Sequence, residues 1–246
     1  MERLSTAFEL PRDIWLAIAI KVTRNSIADL YKFCMTCCVA RDVGDEDTVL
    51  RMVAIPPPHE MNWLWIRDPV GRRFFERCIG IGHPELLFRE ALRELYIRHN
   101  HAIGWEMLQN AASNGVDAAK YALSMELLYT VSMMLMLRDD FESKNKGLQT
   151  FHVLEAAGAL TICKLVFHDV IQGTWTHMRR LPMVNAENLV CSSHACPSRG
   201  NMGAIYRSQR YGRGWDLNDG DGGAAHIPCV HCRADYELIL FVHLFD

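Results

Sequence analysis

The sequence predicts an all-α fold: short N-terminal helices, then stacked helical hairpins, then a small irregular segment that carries cysteines. Three features point there. Capped apolar helices stand directly behind the N-terminus, an internal offset of 33 residues runs through the middle, and two cysteine pairs flank a glycine-rich loop near the end.

At 246 residues the chain can bury a sizeable core, as one large domain or as two or three small ones. Half of the residues are hydrophobic, 22% are charged and the formal net charge is −3. That balance argues against wholesale disorder and against broad phosphate or nucleic-acid binding. The opening MERLSTAFELPRD lacks the apolar core and small-residue cleavage site of a secretory signal. Nine cysteines are an odd number, and Cys34, Cys37 and Cys38 crowd at a helical spacing that suggests one apolar face. Reduced core thiols of the cytosol or nucleus are expected, not a disulfide framework.

Taking the elements in order, Pro11 suits the first turn of a helix and Asp13 favours its positive end, so helix one should start near Leu10. Ile14, Ile18 and Val22 form a stripe, yet Trp15, Leu16, Ala19 and Ile20 leave almost no polar side. Such a helix needs cover on more than one face. Ser26, with Asp29 three residues on, predicts the cap of a second helix carrying Ile27, Leu30, Tyr31, Cys34 and Cys38.

Leu10-Pro11, the apolar positions that follow, the Ser26 to Leu30 turn and the Cys37 to Arg41 segment, with Asp45 and Val49 beyond, resemble an F-box. The resemblance implies a helical motif over residues 1–55 whose outward apolar face, with Leu10, Pro11, Ile14, Ile18, Leu30 and Cys37, docks on the Skp-type adaptor of a cullin ubiquitin ligase. The plain alternative is a helical hairpin packed on its own domain. Ala40 stands where plant relatives often carry an aromatic residue.

Pro56-Pro57-Pro58 cannot continue a helix and suggests a boundary. Trp63, Trp65, Phe74 and Phe75 then read as core anchors. GHPELLFREALRELY from Gly82 and GVDAAKYALSMELLY from Gly115 align glycine, an aromatic residue (Phe88, Tyr121), leucine (Leu95, Leu128) and tyrosine (Tyr96, Tyr129). A period of this length marks stacked helical hairpins, each unit closing its neighbour's apolar face. Trp105, Leu108, Ala111, Ala112 and Gly115, then Ala119 and Leu123, resemble the Sel-like relative of tetratricopeptide repeats. A repeat region over 56–184 is expected. The apolar run from Tyr121 to Leu137 contains Glu126 and falls short of the roughly 20 residues of a bilayer span, so it reads as a buried helix. LEAAGALTICKLVFHDVIQ reads as one more helix, and its adjacent His168 and Asp169 suggest no chemistry.

In the last segment, 185–246, Cys191 and Cys196 precede a glycine-rich loop and Cys229 and Cys232 follow it. Two short ligand pairs across a loop are what one tetrahedral structural zinc ion needs, with His194 or His226 as alternates for a thiolate. Reduced free cysteines and a redox pair remain open, although the latter lacks a preceding βαβ unit. DLNDGDGG from Asp216 misses the closing glutamate of a calcium loop, and RSQRYGRGW from Arg207 reads as a solvated loop more than a nucleic-acid contact. Cys232, Arg233, Asp235, Tyr236 and Phe241 complete a resemblance to plant F-box proteins with a Sel-like centre and a cysteine-rich end. It implies a non-catalytic substrate receptor of a cullin-type ligase, with an unknown target protein and no membrane. A helical-repeat scaffold or RNA-binding protein without ligase association is the alternative.

Overall fold

The computed structural model describes residues 10–58, 60, 68–133, 141–174, 181–182, 184, 189, 191, 193, 195–196 and 227–245. Eleven helices and no strand are found among them. Trp63 and Trp65, both histidine alternates and the loop motifs at 207–223 lie outside the described residues. The chain forms two compact units, 1–87 and 88–246.

In the first unit, α1 (Arg12–Thr23) starts directly after Pro11, with Asp13 in its first turn. The Ser26 hydroxyl accepts from the Asp29 amide at 3.0 Å and caps α2 (Ile27–Cys34). The chain then turns, and Cys37 caps α3 (Cys38–Gly44) through its Sγ, which accepts from the Ala40 amide at 3.4 Å. This corrects the shared cysteine face: α2 ends at Cys34, so the three thiols follow no single helical period. Cys34 and Cys37 are half-buried and Cys38 is exposed.

A short α4 (Asp47–Leu50) and α5 (Pro69–Gly80), capped by the Asp68 carboxylate on the Val70 amide at 2.9 Å, complete the unit with the start of α6 (Pro84–Tyr96). The face of α1 that enters the core is Trp15, Ala19 and Thr23, one residue round from the Ile14, Ile18 and Val22 stripe. There it joins Leu30, Ala40, Val43, Val49, Phe75 and Cys78. The unit therefore runs past the triple proline, because Phe75, Cys78 and Leu86 fill the same core as the N-terminal helices.

The second unit holds most of a helical repeat region. α7 (His101–Ser113), α8 (Asp117–Met133), α9 (Phe141–Ala156) and α10 (Leu160–Thr174) follow α6. Three glycines set the turns. At Gly82, Gly115 and Gly158 φ is positive (82°, 92° and 66°), and the next amide reaches back to close each helix: His83 to the Cys78 carbonyl at 2.9 Å, Val116 to Ala111 at 3.2 Å, Ala159 to Leu154 at 2.9 Å. This is the left-handed glycine ending that a Cβ would strain. The third turn divides the stretch that reads as one helix in the sequence into α9 and α10.

α8 is the hub. Every residue from Tyr121 to Leu128 is buried, and α7, α9, α10 and α11 (Val230–His243) all pack on it. A helix packed by neighbours on several faces needs few polar positions, which explains why Tyr121 to Leu128 is apolar apart from Ser124 and Glu126. Backbones approach closely where side chains are absent: a Cβ on Gly147 would lie 3.2 Å from both Leu127 and Leu128 side chains. The Ser124 hydroxyl donates to the Gly147 carbonyl at 2.9 Å across the same contact. Within the last segment, α11 is a regular helix that packs on α8 and α9. Tyr121 donates to Glu237 Oε1 at 2.8 Å, Lys164 Nζ meets Glu237 Oε2 at 2.5 Å, and Phe241 lies 5.1 Å from Phe167, ring centre to ring centre.

Candidate metal centre

The two cysteine pairs, far apart in sequence, meet in space. Cys229 stands at the N-terminal cap of α11 and Cys232 in its first turn, so the helix itself fixes their spacing. Cys191 and Cys196 come from the described parts of the preceding segment, which the Cys196 amide tightens by donating to the Ser193 carbonyl at 3.2 Å. The Cys191 and Cys229 sulfurs are 3.7 Å apart, those of Cys196 and Cys232 3.4 Å, and all four lie within 4.8 Å of one another.

Four sulfurs on a tetrahedron with metal–sulfur bonds of about 2.3 Å would be roughly 3.8 Å apart. The observed cluster has that size. Its donor set, four thiols with Cys196 and Cys232 buried, is the soft, closed environment of a structural site. Burial pushes the Cys191 thiol up to about 11, against the hydrogen bond from the Ser193 amide at 3.4 Å. Cys232 is pushed further in the same direction by burial and by its hydrogen bonds to Cys196 and Cys191. Thiols held this way release protons when a cation arrives, which ties metal affinity to pH. The cluster can therefore hold a metal ion.

Arg233 anchors this cluster to the second unit, and a buried acid follows it. Arg233, next to Cys232, pairs with Glu155 of α9 and donates from Nη1 to the Ile227 carbonyl at 2.8 Å. Two residues further, Asp235 is buried, and burial raises its carboxyl to about 6 while the charge of Lys144 opposes the shift.

The residues expected at an adaptor surface divide. Leu10 and Ile14 are 41% and 44% exposed, Pro11 is exposed and Ile18 is half-buried. Leu30 is only 3% exposed and belongs to the core, while Cys37 is the half-buried cap of α3. Ala40 is fully buried, so an aromatic residue there would require repacking.

Glu126 escaped the sequence reading as a site residue. The lone acid within Tyr121 to Leu128 was the available signal. It is buried on α8, and the Tyr96 hydroxyl donates to its Oε1.

Among known families, the model described as plant tetratrico peptide repeats matches residues 56–172, just under half of the chain. No curated protein and no solved structure matches the chain.

Proposed function

We propose that this chain is a non-catalytic interaction protein that serves as a substrate receptor in a cullin-type (SCF) ubiquitin ligase. One surface of the first unit holds a Skp-type adaptor and the helical-repeat unit holds a target protein. Its task is proximity, raising the effective concentration of target lysines near the loaded enzyme. The observation that carries the reading is the outward placement of Leu10, Pro11 and Ile14 on a unit whose own core is already filled by Trp15, Ala19 and Leu30. Apolar side chains left outside a filled core are available to a partner.

Pull-down of the adaptor tests it. The full chain retains the adaptor, and Leu10→Ala with Pro11→Ala weakens retention. Unchanged retention by a variant with an intact circular dichroism spectrum overturns the ligase reading. A helical-repeat scaffold without ligase association is the second reading, supported by a family match that begins only at residue 56. For the four cysteines we infer structural zinc, because a closed tetrathiolate set suits that ion. Elemental analysis should find close to one zinc per chain.

A further inference from the structure

A cleft of about 600 Å³ opens in the second unit between α6, α7 and α8. Its walls are mainly apolar, built from Leu95, Trp105 and Leu127, with Thr130 at one side and Ser143 of α9 at another. That size falls within the range that encloses a small organic ligand or a long side chain. Glu126 also lines it and is the one acidic residue among the described lining residues, which include His101 but neither lysine nor arginine.

The carboxylate stands in an unusual position. Glu126 is 7% exposed, and the Tyr96 hydroxyl satisfies one of its oxygens. Burial raises the carboxyl to about 7, opposed only by that hydrogen bond. No cation from the surrounding described helices contributes to holding its charge. A buried carboxylate that draws no opposing charge from the described helices is costly, and beside an open cleft a bound cation can supply that charge.

We propose that this cleft binds an organic cation, an alkylammonium or guanidinium group on an apolar stem, with Glu126 as its counter-charge. Leu95 and Leu127 cover the stem, and Trp105 offers an aromatic face on which a cation gains further attraction. The chemistry fits both a lysine or arginine side chain of a partner and a free amine. It goes beyond the ligase reading and does not rest on it.

Saturation-transfer NMR on the full chain provides the test, with phenethylamine and 2-phenylethanol as matched probes. The amine saturates the site and binds at least tenfold tighter than the alcohol, and Glu126→Gln removes that preference while still accepting from Tyr96. Equal binding of amine and alcohol, or a Gln variant that keeps the preference, overturns the proposal. Should Glu126→Gln fail to fold, Ala102→Trp decides, since Ala102 is exposed on α7 at the edge of the cleft. Filling the mouth in this way abolishes amine binding, and retained binding overturns the site. N-acetyl-lysine amide distinguishes the source. Tighter binding than phenethylamine assigns a partner's side chain, weaker binding assigns a free amine, and failure of both probes to bind overturns the proposal.

Discussion

Arg233 and Glu155 form a two-pronged ion pair, Nε to Oε1 at 2.6 Å and Nη2 to Oε2 at 2.9 Å, that ties the first turn of α11 to α9. Arg233 follows Cys232 directly, so the cysteine cluster and the helices of the second unit share a mechanical connection. Each side chain keeps about a quarter of its exposure, 23% and 24%, which leaves the pair largely shielded from solvent.

Glu155→Gln should therefore destabilise the second unit by about 1–2 kcal/mol, somewhat less than a fully buried charged hydrogen bond because the pair keeps some exposure. Chemical denaturation checks this. An unchanged midpoint would show that the pair is a surface ornament.

If the four cysteines hold a metal, its removal should reach beyond the last segment. Small zinc modules draw on the order of 10 kcal/mol of folding free energy from the ion at neutral pH. Because α11 packs on α8 and α9, chelation or Cys232→Ser should speed hydrogen exchange in α8 as well as after residue 190. Exchange confined to the last segment would show that α11 docks without the metal. Adaptor retention should survive, since the first unit has its own core.

Two glycines sit at close helix contacts, and the tighter should tolerate no side chain. A Cβ on Gly104 would stand 2.7 Å from Leu95 Cγ and 3.0 Å from the Leu95 backbone nitrogen. Backbone cannot swing aside as a side chain can, so Gly104→Ala should cost about 1–3 kcal/mol. Gly147→Ala, with its nearest contacts at 3.2 Å, should cost less. A thermal melt of both variants orders them.

Glu126 predicts a pH dependence. Its carboxyl is raised from 4.5 to about 7 in the folded chain, so the native state holds a proton that the unfolded chain has lost. Its contribution is fully present below about pH 4.5 and disappears as pH rises through about 7. Glu126→Gln, which carries no charge to desolvate, should thus gain stability relative to the parent chain between pH 5 and 8, by about 2–3 kcal/mol at the upper end. Denaturation at several pH values checks it, and a constant difference between the two proteins would contradict the shift.

Local signals were readable from the sequence because they act over a few residues. The Ser26 cap, the turn at Gly115, the buried character of the Tyr121 run and the four convergent cysteines all follow from spacing and side-chain chemistry. What escaped depends on distant partners. The Gly158 break was hidden because apolar residues continue on both sides of it. Leu30 looked available for a partner until Ala40, Val43 and Phe75 were placed with it in the same core. The place of α11 was hidden most deeply, since Tyr121 and Glu237 are 116 residues apart. Nothing local to either residue announces the other.

That separation gives the chain a schedule. α8 meets α7, α9 and α10 from neighbouring sequence, but Phe241 and Glu237, which complete the surroundings of Tyr121, are synthesised about a hundred residues after α8 ends. At roughly 5–20 residues per second, one flank of the hub stays open to water for about 5–20 s behind the ribosome. A nascent chain in this interval shows Tyr121 and Phe167 without their last aromatic partner, a sticky surface of the kind chaperones recognise. A metal taken up by the four sulfurs, as their spacing permits, would be captured at the close of that interval.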